Sequence, residues 1–127
     1  MNEYVLKDDD FLVSQTDDKG IIIFANDDFC KIAGYSIDEL IGKPHNIVRH
    51  SDMPKAAFSD LWSTVKRGEI WSGYVKNATK ANGFYWVFAT VFPKHDVQTN
   101  KTTYISCRRK PSAKEIEEAT KLYKTLH

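Results

Sequence analysis

Four polar side chains, three of them ionisable, crowd into Arg49-His50-Ser51-Asp52, directly before Met53-Pro54. A proline in this place opens a helix, because the first helical turn leaves its N–H groups unpaired in any case. The start of a helix presents free N–H groups and a partial positive charge. A guanidinium and an imidazole beside it suit a phosphate group or a ring carbonyl. The same spacing also fits a surface ion pair followed by an N-cap, which needs no ligand.

A second candidate group lies on the stretch Trp71 to Ala78, whose alternation sets Trp71, Gly73, Val75 and Asn77 on one side of a strand. If that side lines a pocket, Asn77 must find hydrogen bonds there. Its carboxamide offers a donor and an acceptor, which suits the alternating N–H and C=O edge of a planar heterocycle. A one-residue register slip turns Asn77 to solvent instead. Trp71 fits a stacking cover for such a ring, or a core tryptophan.

Composition narrows the function classes. The chain has 127 residues, one domain's worth, and a formal net charge of +1 that gives no electrostatic footprint for nucleic acid. The basic run Arg108-Arg109-Lys110 beside Pro111 reads as a solvated strand end. No Gly-rich phosphate loop, nucleophile elbow or paired-carboxylate constellation points to an enzyme. Cys30 and Cys107 match no metal-ligand spacing and read as free thiols of a reducing, cytoplasmic compartment. Met1 to Asp10 does not resemble a signal peptide, and no apolar run has the length of a membrane span. Any membrane role is expected to come through a partner, or through a region missing from this chain.

These side chains need elements to carry them. Phe11 to Thr16 and Ile21 to Phe24, across Asp17-Asp18-Lys19-Gly20, predict an antiparallel hairpin. Asn26 caps a helix over Asp27 to Ala33, which Gly34 stops. Ser36-Ile37-Asp38-Glu39 has capping-box form and starts another helical turn. After the short segment His45 to Ser51, the spacing of Ala57, Phe58, Leu61, Trp62 and Val65 predicts a helix from Pro54 to Arg67. Strands follow over Trp71 to Ala78, Phe84 to Phe92 and Thr102 to Arg108, with a turn at Ala81-Asn82-Gly83 and a polar loop over His95 to Lys101. Ser112 to Glu115 opens a last helix with Ile116, Ala119, Tyr123 and Leu126 on one stripe. That stripe has three candidate partners: its own sheet, a second copy of the chain in a homodimer, or a receptor helix.

The order is β-β-α-α-α-α-β-β-β-α, an α+β class with a five-stranded antiparallel sheet, helices inserted between strands 2 and 3, and a C-terminal helix. A pocket is expected between the sheet and the inserted helices. The division expected is an N-terminal cap over 1–10, a main domain over 11–111 and an amphipathic helix over 112–127.

Phe24-Ala25-Asn26-Asp27-Asp28-Phe29, Ala33-Gly34-Tyr35-Ser36 and Asp38 to Pro44 together resemble the PAS superfamily. His45 to Phe58, Trp71 to Asn77, Tyr85-Trp86-Val87 and Leu122-Tyr123-Lys124 resemble more narrowly the PAS domain of bacterial aerotaxis (energy-taxis) receptors. That resemblance implies a PAS fold and non-covalent FAD contacted by Asn26, Arg49, His50, Asp52, Trp71 and Asn77. It implies redox sensing relayed to a chemoreceptor-type signalling partner. Ser51 departs from the family, which often has proline there. Two other readings stay open: a haem-binding PAS gas sensor, and a cofactor-free PAS interaction module. Photochemistry of the LOV type needs a thiol on the segment before the long helix, and His45 to Asp52 has none.

Overall fold

The structure is a computed structural model that describes residues 2–126; Met1 of the expected cap and His127 of the expected terminal helix lie outside the described residues. Strands β1 (Leu12–Thr16), β2 (Ile22–Ala25), β3 (Trp71–Ala78), β4 (Phe84–Asp96) and β5 (Lys101–Arg109) form one antiparallel sheet in the order β2-β1-β5-β4-β3. Helices α1 (Asp27–Ala33), α2 (Ile37–Leu40) and α3 (Lys55–Lys66), with a 3₁₀ turn over His45–Val48, fill the connection from β2 to β3. Helix α4 (Ala113–Tyr123) follows the sheet. The expected order of elements is the observed one.

Local chemistry accounts for most of the boundaries. The Asn26 carboxamide accepts from the Phe29 N–H and caps α1, and Gly34 ends it in the left-handed region at φ 83°. Ser36 with Glu39 and Ser112 with Glu115 close complete capping boxes on α2 and α4. Each such cap stabilises its helix by about 1 kcal/mol.

The β4–β5 hairpin is longer than expected. The strands pair out to Asp96 and Lys101, so His95 and Asp96 belong to β4 rather than to a loop. The His95 imidazole and the Thr102 hydroxyl meet across the strands at 2.9 Å. Pro93 is tolerated inside β4 because β3 has already ended, its last pair being Trp71 with Val91.

Leu12, Ile22, Phe29, Leu40, Val48, Val65, Tyr85 and Val87 are fully buried and hold the helical segment to the inner face of the sheet. On α3, only Val65 is fully buried; Phe58, Leu61 and Trp62 are half-buried. A helix seated flat on its sheet would bury all four, so α3 stands over a gap.

The N-terminal segment crosses the start of β4, where the Tyr4 N–H donates to the Phe84 carbonyl at 2.8 Å. A Cβ on Gly83 would lie 2.6 Å from the Asn2 carbonyl oxygen, so this close approach needs glycine. On the outer face, α4 packs through Tyr123, whose ring stacks on Trp86 and whose hydroxyl donates to the Tyr74 carbonyl at 2.5 Å.

Candidate cofactor site

The gap under α3 is a cavity of about 370 Å³. Val75 and Asn77 of β3, Ala89 and Val91 of β4, and Tyr104, Ser106 and Arg108 of β5 line it from the sheet; Phe58, Leu61 and Trp62 line it from α3. Apolar side chains of β3, β4 and α3 form one part of its wall, and polar groups including His45, Asn77, Ser106 and Arg108 form the rest, a make-up that suits a small molecule with both apolar and polar parts. Exposed Lys19, Arg49 and Lys66 also border it, together with the exposed carboxylate of Asp18, so its mouth carries three cations and one anion.

Two of the six residues expected at a ligand line this cavity. Asn77 is buried, only 4 % exposed, with Val75 on the same inner face. The alternation therefore has the register that points Asn77 inward. Arg49 reaches the same space because its backbone forms an antiparallel bridge with Asn77. Its guanidinium carbon lies 3.8 Å from the centre of the Phe58 ring, which fixes the side chain by a cation–π contact.

The other four do not border the cavity. His50 is buried, its Nδ1 accepts from the Asp52 N–H at 3.0 Å, and its ring meets Phe84 edge-on. Burial, and then the charge of Lys76, lowers its pKa. The exposed Asp52 carboxylate pairs with Lys76 at 2.7 Å, which lowers its own pKa. Together they lay the segment after the 3₁₀ turn along the open edge of β3, where the Lys76 N–H also meets Met53 Sδ. Trp71 donates its indole N–H to Asp60 at 2.9 Å and so ties α3 to β3. A Cβ on Gly73 would lie 2.6 Å from the Trp71 ring, so the glycine makes room for it. Asn26 spends its carboxamide on the backbone, accepting from Val13 and Phe29 and donating to Phe11.

The inner wall holds a polar cluster that sequence reasoning missed. Arg108 is 3 % exposed, which corrects the reading of Arg108-Arg109-Lys110 as a solvated run. Its Nη2 donates to the Ser14 hydroxyl and to His45 Nε2, both at 2.7 Å, and its guanidinium lies over the Phe29 ring. Its Nη1 has no hydrogen-bond partner. No carboxylate among the described residues pairs with it. Burial lowers its pKa to about 10, so it stays charged at neutral pH. Burial, and then the Arg108 charge, lower the His45 pKa to about 3, so that imidazole is neutral and accepts. The available signal was phase: Arg108 alternates with Tyr104 and Ser106, both of which face inward. The buried Tyr85 hydroxyl is a second unpaired group, lying beside Asn77 but outside hydrogen-bond geometry, and burial raises its pKa to about 12.

Neither Cys30 on α1 nor Cys107 on β5 lines the cavity.

Residues 22–107 match the PAS fold family. The chain belongs to that family. The PAS domain of a Colwellia psychrerythraea protein superposes with a TM-score of 0.71 at 22 % identity, covering 80 % of this chain and 86 % of that one. A light-oxygen-voltage domain superposes at 0.73 with 20 % identity, covering 90 % and 85 %. In sequence, the chain is 48 % identical over 123 residues to the aerotaxis receptor of Escherichia coli. It is 28 % identical over 97 residues to a nitrogen fixation regulatory protein of Klebsiella oxytoca, 76 % of this chain and 20 % of that protein. The aerotaxis match covers 96 % of this chain but 24 % of the receptor, so the PAS chain spans about a quarter of that relative.

Proposed function

We propose that this PAS domain binds FAD and senses redox state, without enzymatic turnover, for a chemoreceptor-type signalling partner in aerotaxis. The observation that carries the reading is the cavity between sheet and α3 bordered by Asn77 and Arg49, in a chain of which 96 % aligns with an aerotaxis receptor at 48 % identity. The cavity volume suits a planar ring system rather than a whole dinucleotide. Asn77 would hold the polar edge of that ring. Arg49, Lys19 and Lys66 at the mouth would hold the diphosphate. His50, Asp52 and Trp71 would act one step away, by fixing the segment that carries Arg49 and the helix that roofs the cavity.

Bound flavin supplies reversible electron uptake, and the protein supplies orientation and electrostatics. A change of charge on the ring is felt by the polar groups around it. The sheet carries their response to its outer face, where α4 lies against β3 and β4 through Tyr74, Trp86 and Tyr123. No helix among the described residues is long and apolar enough to cross a membrane. The proposed location is the cytoplasm, held at the inner membrane through the receptor partner.

An absorption spectrum of the purified protein tests this reading. Flavin bands, with FAD released on denaturation, are expected. A haem Soret band, or a spectrum with no cofactor, would replace it with the gas-sensor or the interaction-module reading.

A further inference from the structure

A buried guanidinium without a carboxylate is costly, because burial strips its water and nothing of opposite charge replaces it. Arg108 is in that state: Ser14 and the neutral His45 take one nitrogen, and Nη1 has no partner. Both groups that it touches are uncharged at neutral pH, so they orient the guanidinium without neutralising it. The side chain borders the cavity opposite α3, away from the mouth, where Lys19, Arg49 and Lys66 would face the diphosphate and the Asp18 carboxylate. The wall is therefore built for negative charge on whatever fills the cavity.

We propose that Arg108 makes the cavity bind the reduced, anionic form of its flavin more tightly than the oxidised form. This rests on the flavin reading above. An oxidised flavin that takes up two electrons and one proton carries one net negative charge on its pyrimidine edge. The oxidised ring is neutral and offers Arg108 only carbonyl oxygens. The guanidinium thus contributes more to binding after reduction than before it, and that difference raises the midpoint potential. His45 and Ser14 are positioning residues for the guanidinium: the His45 N–H donates to the Gly20 carbonyl at 3.0 Å, which anchors the turn that carries the ring.

The experiment is a spectroscopic titration of the flavin-loaded protein with dithionite, which is oxidised to sulfite, under anaerobic conditions. Arg108→Gln and Arg108→Met are expected to lower the preference for reduced over oxidised flavin at least tenfold, a fall of about 30 mV for a two-electron couple. Arg108→Lys, which keeps the charge, is expected to retain most of the preference. Unchanged potentials in flavin-loaded Gln and Met variants would overturn the assignment. Should these variants lose flavin or fail to fold, the unsubstituted protein still decides it. Its apoprotein must bind dithionite-reduced FAD at least tenfold more tightly than oxidised FAD, and equal or weaker binding would reject the role of Arg108. Failure to bind FAD in either state would instead remove the flavin reading itself, and this inference with it.

Discussion

Arg49 and Asn77 face one another across an isolated antiparallel bridge, so the segment after the 3₁₀ turn is docked on β3 at the residue that points into the cavity. One backbone contact thus sets the positions of two cavity side chains that lie far apart in the chain.

Replacing Arg49 and its chain neighbour His50 should separate binding from stability. Arg49→Ala removes an exposed side chain whose packing is one cation–π contact. It should lower flavin occupancy while costing no more than about 1 kcal/mol of stability. His50→Ala removes a buried ring and the acceptor for the Asp52 N–H. It should lower occupancy and also destabilise by about 1–3 kcal/mol. Flavin content and urea melts of the same preparations check both, and full occupancy in both variants would reject the binding assignment.

Illumination should produce no cysteinyl adduct. The light-oxygen-voltage likeness is one of fold, and neither Cys30 nor Cys107 borders the cavity. Burial also raises the Cys30 pKa, which keeps it a thiol. Bleaching of flavin absorbance by blue light that recovers in the dark, and that Cys30→Ser or Cys107→Ser abolishes, would contradict this.

Acid should weaken the fold before the carboxylates titrate. Folding lowers the His45 pKa from 6.5 to about 3, and the His50 pKa moves the same way. The unfolded chain therefore binds more protons below about pH 6.5, and stability falls as pH falls. The loss approaches about 1.4 kcal/mol per pH unit for a histidine that stays neutral in the native state. Denaturant midpoints between about pH 7 and about pH 5 should drop, and His45→Gln should flatten the slope. An unchanged slope in that variant would remove His45 as the cause.

The terminal helix should couple the sheet to its partner. Tyr123 joins α4 to β3 and β4, Ala119 is buried, and Leu122 stays exposed for a second surface. Ile116→Asp with Tyr123→Asp should detach α4 from the sheet. Flavin content should persist, because neither residue borders the cavity, while association with a chemoreceptor fragment should fall at least tenfold. Retained association with retained flavin would exclude α4 as the coupling element.

The sequence by itself determined the features that depend on neighbours along the chain. Asn26, Ser36 and Ser112 bond to N–H groups three residues away, so the caps of α1, α2 and α4 were legible from spacing alone. Alternation on β3 fixed which residues share a face with Asn77, because the pleat has a period of two. Only the tertiary structure decided where those faces meet. Arg108 reads as one of three surface cations until β5 lies beside β1 and its guanidinium meets Ser14 and His45, 94 and 63 residues away in the chain. His50 sits one residue from Arg49, yet the docking of that segment on the edge of β3 turns the two side chains to different surroundings. The length of the β4–β5 hairpin was likewise a matter of partnership, since His95 gains its strand conformation by pairing with Thr102. Local hydrogen bonding can be written into a few adjacent residues, whereas the burial of a charge depends on surfaces that come together only when the sheet and helices close over the cavity.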